Sequence, residues 1–165
     1  MNLKNDMYCD YIQTDIGFWI IKSDEKNLIS IGYSAKNVTF KPNKNKITKE
    51  TYHQLSQYFD KKLTKFDLPL DTTAYNPFYQ SVWQEVCSIP YGRTVSYSHI
   101  SNALNNPKAL RAVGTANGKN PFPIIIPCHR VIGANGKMTG YAFGIEVKKW
   151  LLQHEGYLPT VMTLF

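Results

Sequence analysis

Long apolar runs are missing from this chain of 165 residues. No stretch approaches the roughly 18 to 20 apolar residues that a membrane-spanning helix needs, and Met1 to Asp10 is polar where a signal peptide would be apolar. That argues against a membrane or secreted protein and makes the cytoplasm the expected compartment. Cysteine is scarce as well. Cys9, Cys87 and Cys128 are odd in number and far apart, which excludes a disulfide framework and the close pairing of zinc ligands. Free thiols and no bound metal are expected. Acidic residues are few in the second half: residues 1–72 hold 11 Lys/Arg against 9 Asp/Glu, whereas residues 73–165 hold 8 against 3. Most of the net charge of +7 therefore sits there, and a positive field favours a polyanionic partner.

With 43% hydrophobic residues the chain can bury one core plus a small appended domain. Short β-rich runs at residues 7–13, 17–22 and 28–33, separated by polar turn residues, predict an antiparallel meander. The lysine-rich stretch from Lys36 to Lys49 reads as a solvated loop. A helix is expected from Lys49 to about Phe59, with Thr48 as N-cap and Tyr52, Leu55 and Phe59 on one face. Pro69 and Asp71-Thr72-Thr73 break the pattern. A domain boundary is placed near residue 73, giving an α/β fold of the α+β kind: a small N-terminal sheet domain with a helix, residues 1–72, and a mainly helical domain, residues 73–165.

In the second domain Asn76-Pro77 has the form of a helix start, and Phe78, Val82, Trp83 and Val86 then recur at helical spacing to about Ser88. Cys87 within this run reads as a small buried hydrophobe. Two short helices follow, Ser96–Leu104 and Pro107–Asn117 ended by Gly118, at helix-turn-helix spacing; a plain structural hairpin has the same pattern. The second helix carries Ala109, Arg111, Ala112 and Gly114, a smooth surface with one arginine. Between Asn120 and Pro127, three prolines surround Ile124-Ile125-Ile126, which predicts a rigid, extended, buried approach to Cys128. Asn135-Gly136 predicts a tight turn, and a last helix is expected over Ile145–Glu155 with Gly156 behind it.

A cysteine is a nucleophile only as thiolate, and at its reference pKa of about 8.5 few molecules are ionised at neutral pH. A base or a positive charge must help. His129 and Arg130 follow Cys128 directly, although neighbours on an extended chain point to opposite sides. Glu155 is the candidate to orient the histidine, fixing its tautomer and stabilising imidazolium.

Pro127-Cys128-His129-Arg130-Val131, with Asn120-Pro121 before it and Trp150-Leu151-Leu152 and His154-Glu155-Gly156 after it, resembles the signature of the O6-alkylguanine-DNA alkyltransferases, also called methylated-DNA–protein-cysteine methyltransferases. Pro90-Tyr91-Gly92, Val95-Ser96-Tyr97, Arg111-Ala112-Val113-Gly114 and Ala116-Asn117-Gly118 extend the match over roughly residues 75–157. The resemblance implies single-turnover repair: an alkyl group leaves O6 of guanine, or O4 of thymine, in double-stranded DNA and stays on Cys128. It implies His129 as base through a water molecule, Glu155 holding His129, Asn120 bracing the turn and Tyr97 donating a proton to the leaving base. It also implies Arg111 as the finger filling the space of the flipped nucleotide, on a minor-groove helix with Ala109, Ala112, Gly114 and Asn117; Arg130 is placed with these DNA-binding residues. Tyr141, Ala142 and Phe143 would wall the base pocket. No cofactor is implied, since the lesion is the alkyl donor. A ribonuclease-H-like N-terminal support domain and a monomer complete the implied picture.

Three departures from the family pattern stand out. Phe143 stands where members often have glycine, which should narrow the alkyl pocket, and Ala142 stands where some have serine. Cys9 and His53 are isolated, so the zinc of some relatives is not expected. Three rival readings meet specific residues: Cys128 opposes a non-catalytic lesion binder, which carries tryptophan there, and the small residues of the second helix oppose a major-groove regulator. A cysteine hydrolase of Cys-His-Glu type would differ by turning over repeatedly.

Overall fold

In the first domain the alternation of apolar and polar residues forms three strands, β1 (Tyr8–Thr14), β2 (Gly17–Ser23) and β3 (Leu28–Ser34), paired antiparallel in that order. The structure is a computed structural model that describes residues 7–159. Ile12 faces Trp19 across the first ladder and Ile21 faces Ile31 across the second, so one face is apolar. Gly17 closes the turn after Thr14 at φ +143°, where a Cβ would lie 2.5 Å from the Ser34 carbonyl, so only glycine fits. The segment around Leu70 runs beside the edge of β3, with Leu28 N–H donating to Pro69 O at 2.7 Å.

Helix α1 (Lys46–Phe59) covers the apolar face with Thr48, Thr51, Leu55 and Tyr58. It begins three residues earlier than the sequence predicts. Asn45, not Thr48, is the N-cap: its side chain accepts from Thr48 N–H at 2.9 Å, while Thr48 Oγ1 accepts from Asn45 N–H at 3.0 Å. This capping box has threonine in the usual Glu/Gln place, which hid it. The buried stripe turns accordingly, so Tyr58 is buried and Tyr52, expected on the inner face, is exposed with the Lys44 ammonium 5.7 Å from its ring centre.

The chain divides into two compact units, Met1–Ala74 and Tyr75–Phe165. In the second, α2 (Pro77–Cys87) starts at Asn76, whose side chain accepts from Tyr79 N–H at 2.9 Å. It buries Val82, Trp83 and Val86. The Trp83 indole N–H donates to Ala116 O at 2.8 Å, tying α2 to α4; stranding that buried donor would cost about 1–3 kcal/mol. Cys87 lies off the buried face and is exposed, contrary to the expectation.

Helices α3 (Tyr97–Ala103) and α4 (Leu110–Gly118) form the expected pair, each shorter than the pattern indicates. Ser96 and Leu104 are caps of α3, and Pro107 to Ala109 form a turn before α4. Gly118 is the last helical residue of α4 and not a terminator beyond it. Two-residue strands β4 (Val95–Ser96) and β5 (Val131–Ile132) pair in parallel; they are too short to show any period in the sequence. Helix α5 (Ile145–His154) ends in a full Schellman motif, Gly156 N–H to Gln153 O at 3.0 Å and Tyr157 N–H to Leu152 O at 2.9 Å, with Gly156 at φ +78°. Among the described residues no helix is long and apolar enough to cross a membrane.

Candidate active site

The segment before Cys128 is buried but not extended. Prolines bar a helix, and the chain folds instead into a compact loop in which Ile126 N–H donates to Phe122 O at 2.8 Å. Asn120 grips it at two points: its Oδ1 accepts from Phe122 N–H and its Nδ2 donates to Ile126 O, both at 2.8 Å. Ile124 is forced to φ +73°, a strained conformation for a β-branched residue that costs about 1–3 kcal/mol. Phe122, Ile124 and Ile126, nearly all out of solvent, over-determine that geometry.

Cys128 then opens a 3-10 turn, Cys128–Arg130, so it and His129 are not on opposite sides of an extended chain. Its thiol is buried, and burial pushes its pKa up against the opposing pull of Asn120, Lys148 and Tyr141. The resting group is a thiol that needs a base. His129 has no exposed surface, and its Nε2 lies 2.7 Å from Glu155 Oε1. Burial alone would raise Glu155, but hydrogen bonds and charge from His129 and Arg130 outweigh it and hold the carboxyl well below the usual carboxylate range. An ionised carboxylate only accepts, so Nε2 carries the proton and Nδ1 is left as a lone pair. Burial also depresses the His129 pKa against the pull of Glu155, which keeps the imidazole neutral. Nδ1 is buried with no hydrogen-bond partner among the described residues. A neutral imidazole with a free acceptor, backed by an anion, is a general base.

Arg130 was placed by sequence among the DNA-binding residues, and the structure corrects this. Only 4% of it is exposed; Nε and Nη2 donate to the two Glu155 oxygens at 2.9 and 3.0 Å, and Nη1 donates to Ile89 O at 2.7 Å. A guanidinium held this way reaches no phosphate. Gly92 N–H adds a bond to Glu155 Oε2 at 3.1 Å, and at φ +73° a Cβ there would come within 2.9 Å of Glu155 O. Tyr91, in the turn before Gly92, places its ring 5.7 Å from the Arg130 guanidinium. Asn117 also leaves the DNA-facing set: it is buried, and its Nδ2 donates to Cys128 O at 3.2 Å.

A cavity of about 230 Å³ opens at Cys128, bounded by Tyr97, Gly114, Asn117, Tyr141 and Phe143. It falls below the roughly 300 Å³ at which drug-sized ligand sites begin. The Tyr97 hydroxyl donates to Thr139 O at 3.4 Å. Burial, then the Cys128 charge, pushes the Tyr141 hydroxyl up, so it stays protonated. Phe143 packs edge-on against Tyr141, ring centres 5.8 Å apart, while Ala142 is exposed. On α4, Arg111 and Ala112 are exposed, Gly114 is half-buried at the cavity and Ala109 is the half-buried N-cap. Beside Arg111, Leu110 is 47% exposed, an apolar group that the smooth-helix reading passed over. Lys148 was missed too. It lies fully buried on the stripe formed by Val147, Lys148, Leu151 and Leu152, and a lysine at a core position of a helical pattern is the signal that would have found it. Cys9 is half-buried and His53 exposed, and among the described residues no three His, Cys, Asp or Glu side chains gather as a metal site would require.

The arrangement is that of a buried cysteine thiol next to a buried His–Glu pair able to act as a base, with a small cavity beside an exposed arginine-bearing helix. Comparison with known proteins gives this arrangement its family. Residues 77–157 match the model for the 6-O-methylguanine DNA methyltransferase DNA binding domain, and residues 7–72 match its ribonuclease-like domain. A methylated-DNA–protein-cysteine methyltransferase of Methanosarcina barkeri is 42% identical over 154 residues, covering 90% of this chain and 97% of its own. One from Mycobacterium bovis is 51% identical over 113 residues, 68% of each chain. Among solved structures, the Mycobacterium tuberculosis O6-methylguanine methyltransferase superposes with a TM-score of 0.79 at 37% identity, covering 93% and 96% of the two chains. The same organism's protein in complex with DNA gives 0.78 at 39% identity, covering 90% and 93%. The chain belongs to the 6-O-methylguanine DNA methyltransferase family.

Proposed function

We propose that this protein, which repairs DNA by transferring an alkyl group to a cysteine, uses Cys128 as the acceptor and takes the group from O6 of guanine or O4 of thymine in duplex DNA, once and irreversibly. The observation that carries the reading is the Glu155–His129 pair, side chains buried and 2.7 Å apart, with His129 in the same turn as the buried Cys128 thiol. His129 Nδ1 takes the Cys128 proton through a water molecule, and Glu155 stabilises the imidazolium. The sulfur attacks the alkyl carbon in line; the S–C bond forms, the C–O bond breaks, and its electron pair stays on the base. Tyr97 gives a proton to the purine ring so that a neutral guanine leaves, and its own proton is replaced from His129. Water cannot displace the resulting thioether, so each molecule acts once.

A base inside a duplex cannot meet a buried thiol, so the nucleotide must flip out, at a cost of a few kcal/mol that is smaller for a poorly paired lesion. In this reading α3 and α4 act as a helix-turn-helix in the minor groove. Ala112 and Gly114 permit close approach, and Arg111 fills the vacated place in the stack. Residues 7–72 support the active-site unit, and the protein acts as a monomer. Intact mass measurement after mixing with a duplex containing O6-methylguanine tests the proposal. One methylene gained per molecule at Cys128, and none in Cys128→Ser, is the expected result. Unchanged mass with DNA still bound would make it a lesion binder, and repeated turnover would make it a hydrolase.

A further inference from the structure

Asn117 meets the cavity with its hydrogen bonding half complete. It lies on the inner face of α4, is 6% exposed, and borders the cavity together with Tyr97 and Cys128. Its Nδ2 donates to Cys128 O at 3.2 Å. A carbonyl oxygen only accepts, so this bond fixes which end of the amide is which, and Oδ1 is the end left over. Among the described residues Oδ1 has no hydrogen-bond partner, and it is out of solvent. The same amide lies close to Tyr97, whose hydroxyl is pushed up by burial while hydrogen bonds with Thr139 and Asn117 oppose the rise. Leaving a buried acceptor unpaired is costly, and at the wall of a cavity the missing donor can come from a ligand. Two other unpaired buried atoms at the site serve the cysteine. His129 Nδ1 is its base, and the Tyr141 hydroxyl opposes the rise that burial imposes on the thiol. Asn117 Oδ1 takes no part in that proton transfer.

An O6-alkylguanine base has little to donate. Alkylation at O6 removes the N1 hydrogen, and N1, N3 and N7 are then all acceptors, so the 2-amino group carries the base's only N–H bonds. We infer that Asn117 reads the flipped base: its Oδ1 accepts from the 2-amino group of the alkylated guanine. The inference rests on the reading of Cys128 as acceptor of an alkyl group from guanine O6. Buried as it is, Asn117 cannot face the duplex, but a flipped base comes to it. One end of the amide then holds the base and the other holds the cysteine turn, which registers the base against the residue that attacks it. A base of the same shape without the 2-amino group strands Oδ1, a penalty of about 5- to 150-fold in rate.

Single-turnover methyl transfer tests this with two duplexes, one holding O6-methylguanine and the other O6-methylhypoxanthine, which has hydrogen in place of the 2-amino group. Both are compared in the native protein and in Asn117→Leu, which keeps the size of the side chain and removes its oxygen. Losing the 2-amino group weakens pairing and eases flipping, so a preference for guanine has to come from the pocket. The guanine-to-hypoxanthine rate ratio should be smaller in Asn117→Leu than in the native protein by at least about fivefold. Loss of the Nδ2 bond to Cys128 O slows both substrates and cancels in the ratio. A smaller change in the ratio, or none, would overturn the inference. Should Asn117→Leu not fold, NMR of the Asn117 side-chain carbonyl carbon in Cys128→Ser with each duplex bound decides: the guanine duplex should shift it and the hypoxanthine duplex should not, and matching shifts overturn the inference. Failure of the native protein to accept methyl from either duplex would instead overturn the functional reading.

Discussion

Removing the Arg130 guanidinium separates two accounts of the sequence Pro-Cys-His-Arg. Arg130→Met keeps the length and apolar stem of the side chain and deletes two bonds to Glu155 and one to Ile89 O. Glu155 is then a buried carboxylate that has lost its guanidinium partner while keeping His129 and the Gly92 N–H, and Ile89 O loses its donor. Taking one partner from a buried ion pair costs about 3–5 kcal/mol, a large share of the 5–15 kcal/mol that typically holds a domain together. Urea denaturation followed by tryptophan fluorescence should therefore show a loss of that size, carried by the midpoint. Binding to undamaged duplex, by fluorescence anisotropy over a salt series well below the unfolding transition, should keep its salt slope. If Arg130 met phosphate, the opposite would hold: stability within about 0.5 kcal/mol of native and a log–log salt slope shallower by about one. That pair of results would refute the interior assignment.

Burial holds the folded pKa of His129 below its unfolded value of about 6.5, so below that pH the unfolded chain binds the additional proton. Its contribution to stability is thus complete above about pH 6.5 and lost as pH falls beneath it; urea midpoints at pH 5.5 and 7.5 should differ in the native protein and converge in His129→Gln. Glu155 has a depressed folded pKa, so its contribution is present above about pH 4.3 and lost as pH falls further, and acid unfolding of Glu155→Gln should be less steep below that value. Gly92→Ala sets a Cβ 2.9 Å from Glu155 O at positive φ, and a loss of about 1–3 kcal/mol by thermal melt should accompany slower methyl transfer with unchanged affinity for undamaged DNA. Phe143→Gly opens the cavity beside Tyr141, so the ratio of benzyl to methyl transfer rates should rise; equal ratios in native and variant protein would show that Phe143 does not set the size limit.

The strands, α2 and α5 were legible because their periods run for several residues and Asn76 and Gly156 mark their ends. Thr48 misled because a capping box holds two side chains that each look like a cap, and only geometry shows that Asn45 lies outside the helix. The pair β4 and β5 left no trace, since two residues cannot display alternation. At the site, Cys128, His129 and Glu155 could be picked out by chemistry, but their separation could not: Glu155 lies 25 positions from Arg130, and no local rule brings them to 2.9 Å. Arg130 and Lys148 show the bias behind the misses. Sequence reasoning sends cations outward, and a buried cation is visible only once the carboxylate or carbonyls that repay its lost hydration are in view.

Lys148 and Glu155 are seven residues apart, two helical turns or about 10 Å along α5, and so nearly in phase about its axis. The upper one takes the chain just after the cysteine turn and the lower one takes the turn itself, which makes α5 a ruler laid along the site. A single inserted residue between them would swing one grip by about 100° relative to the other, so the length of this helix is under tighter constraint than most of the side chains on it.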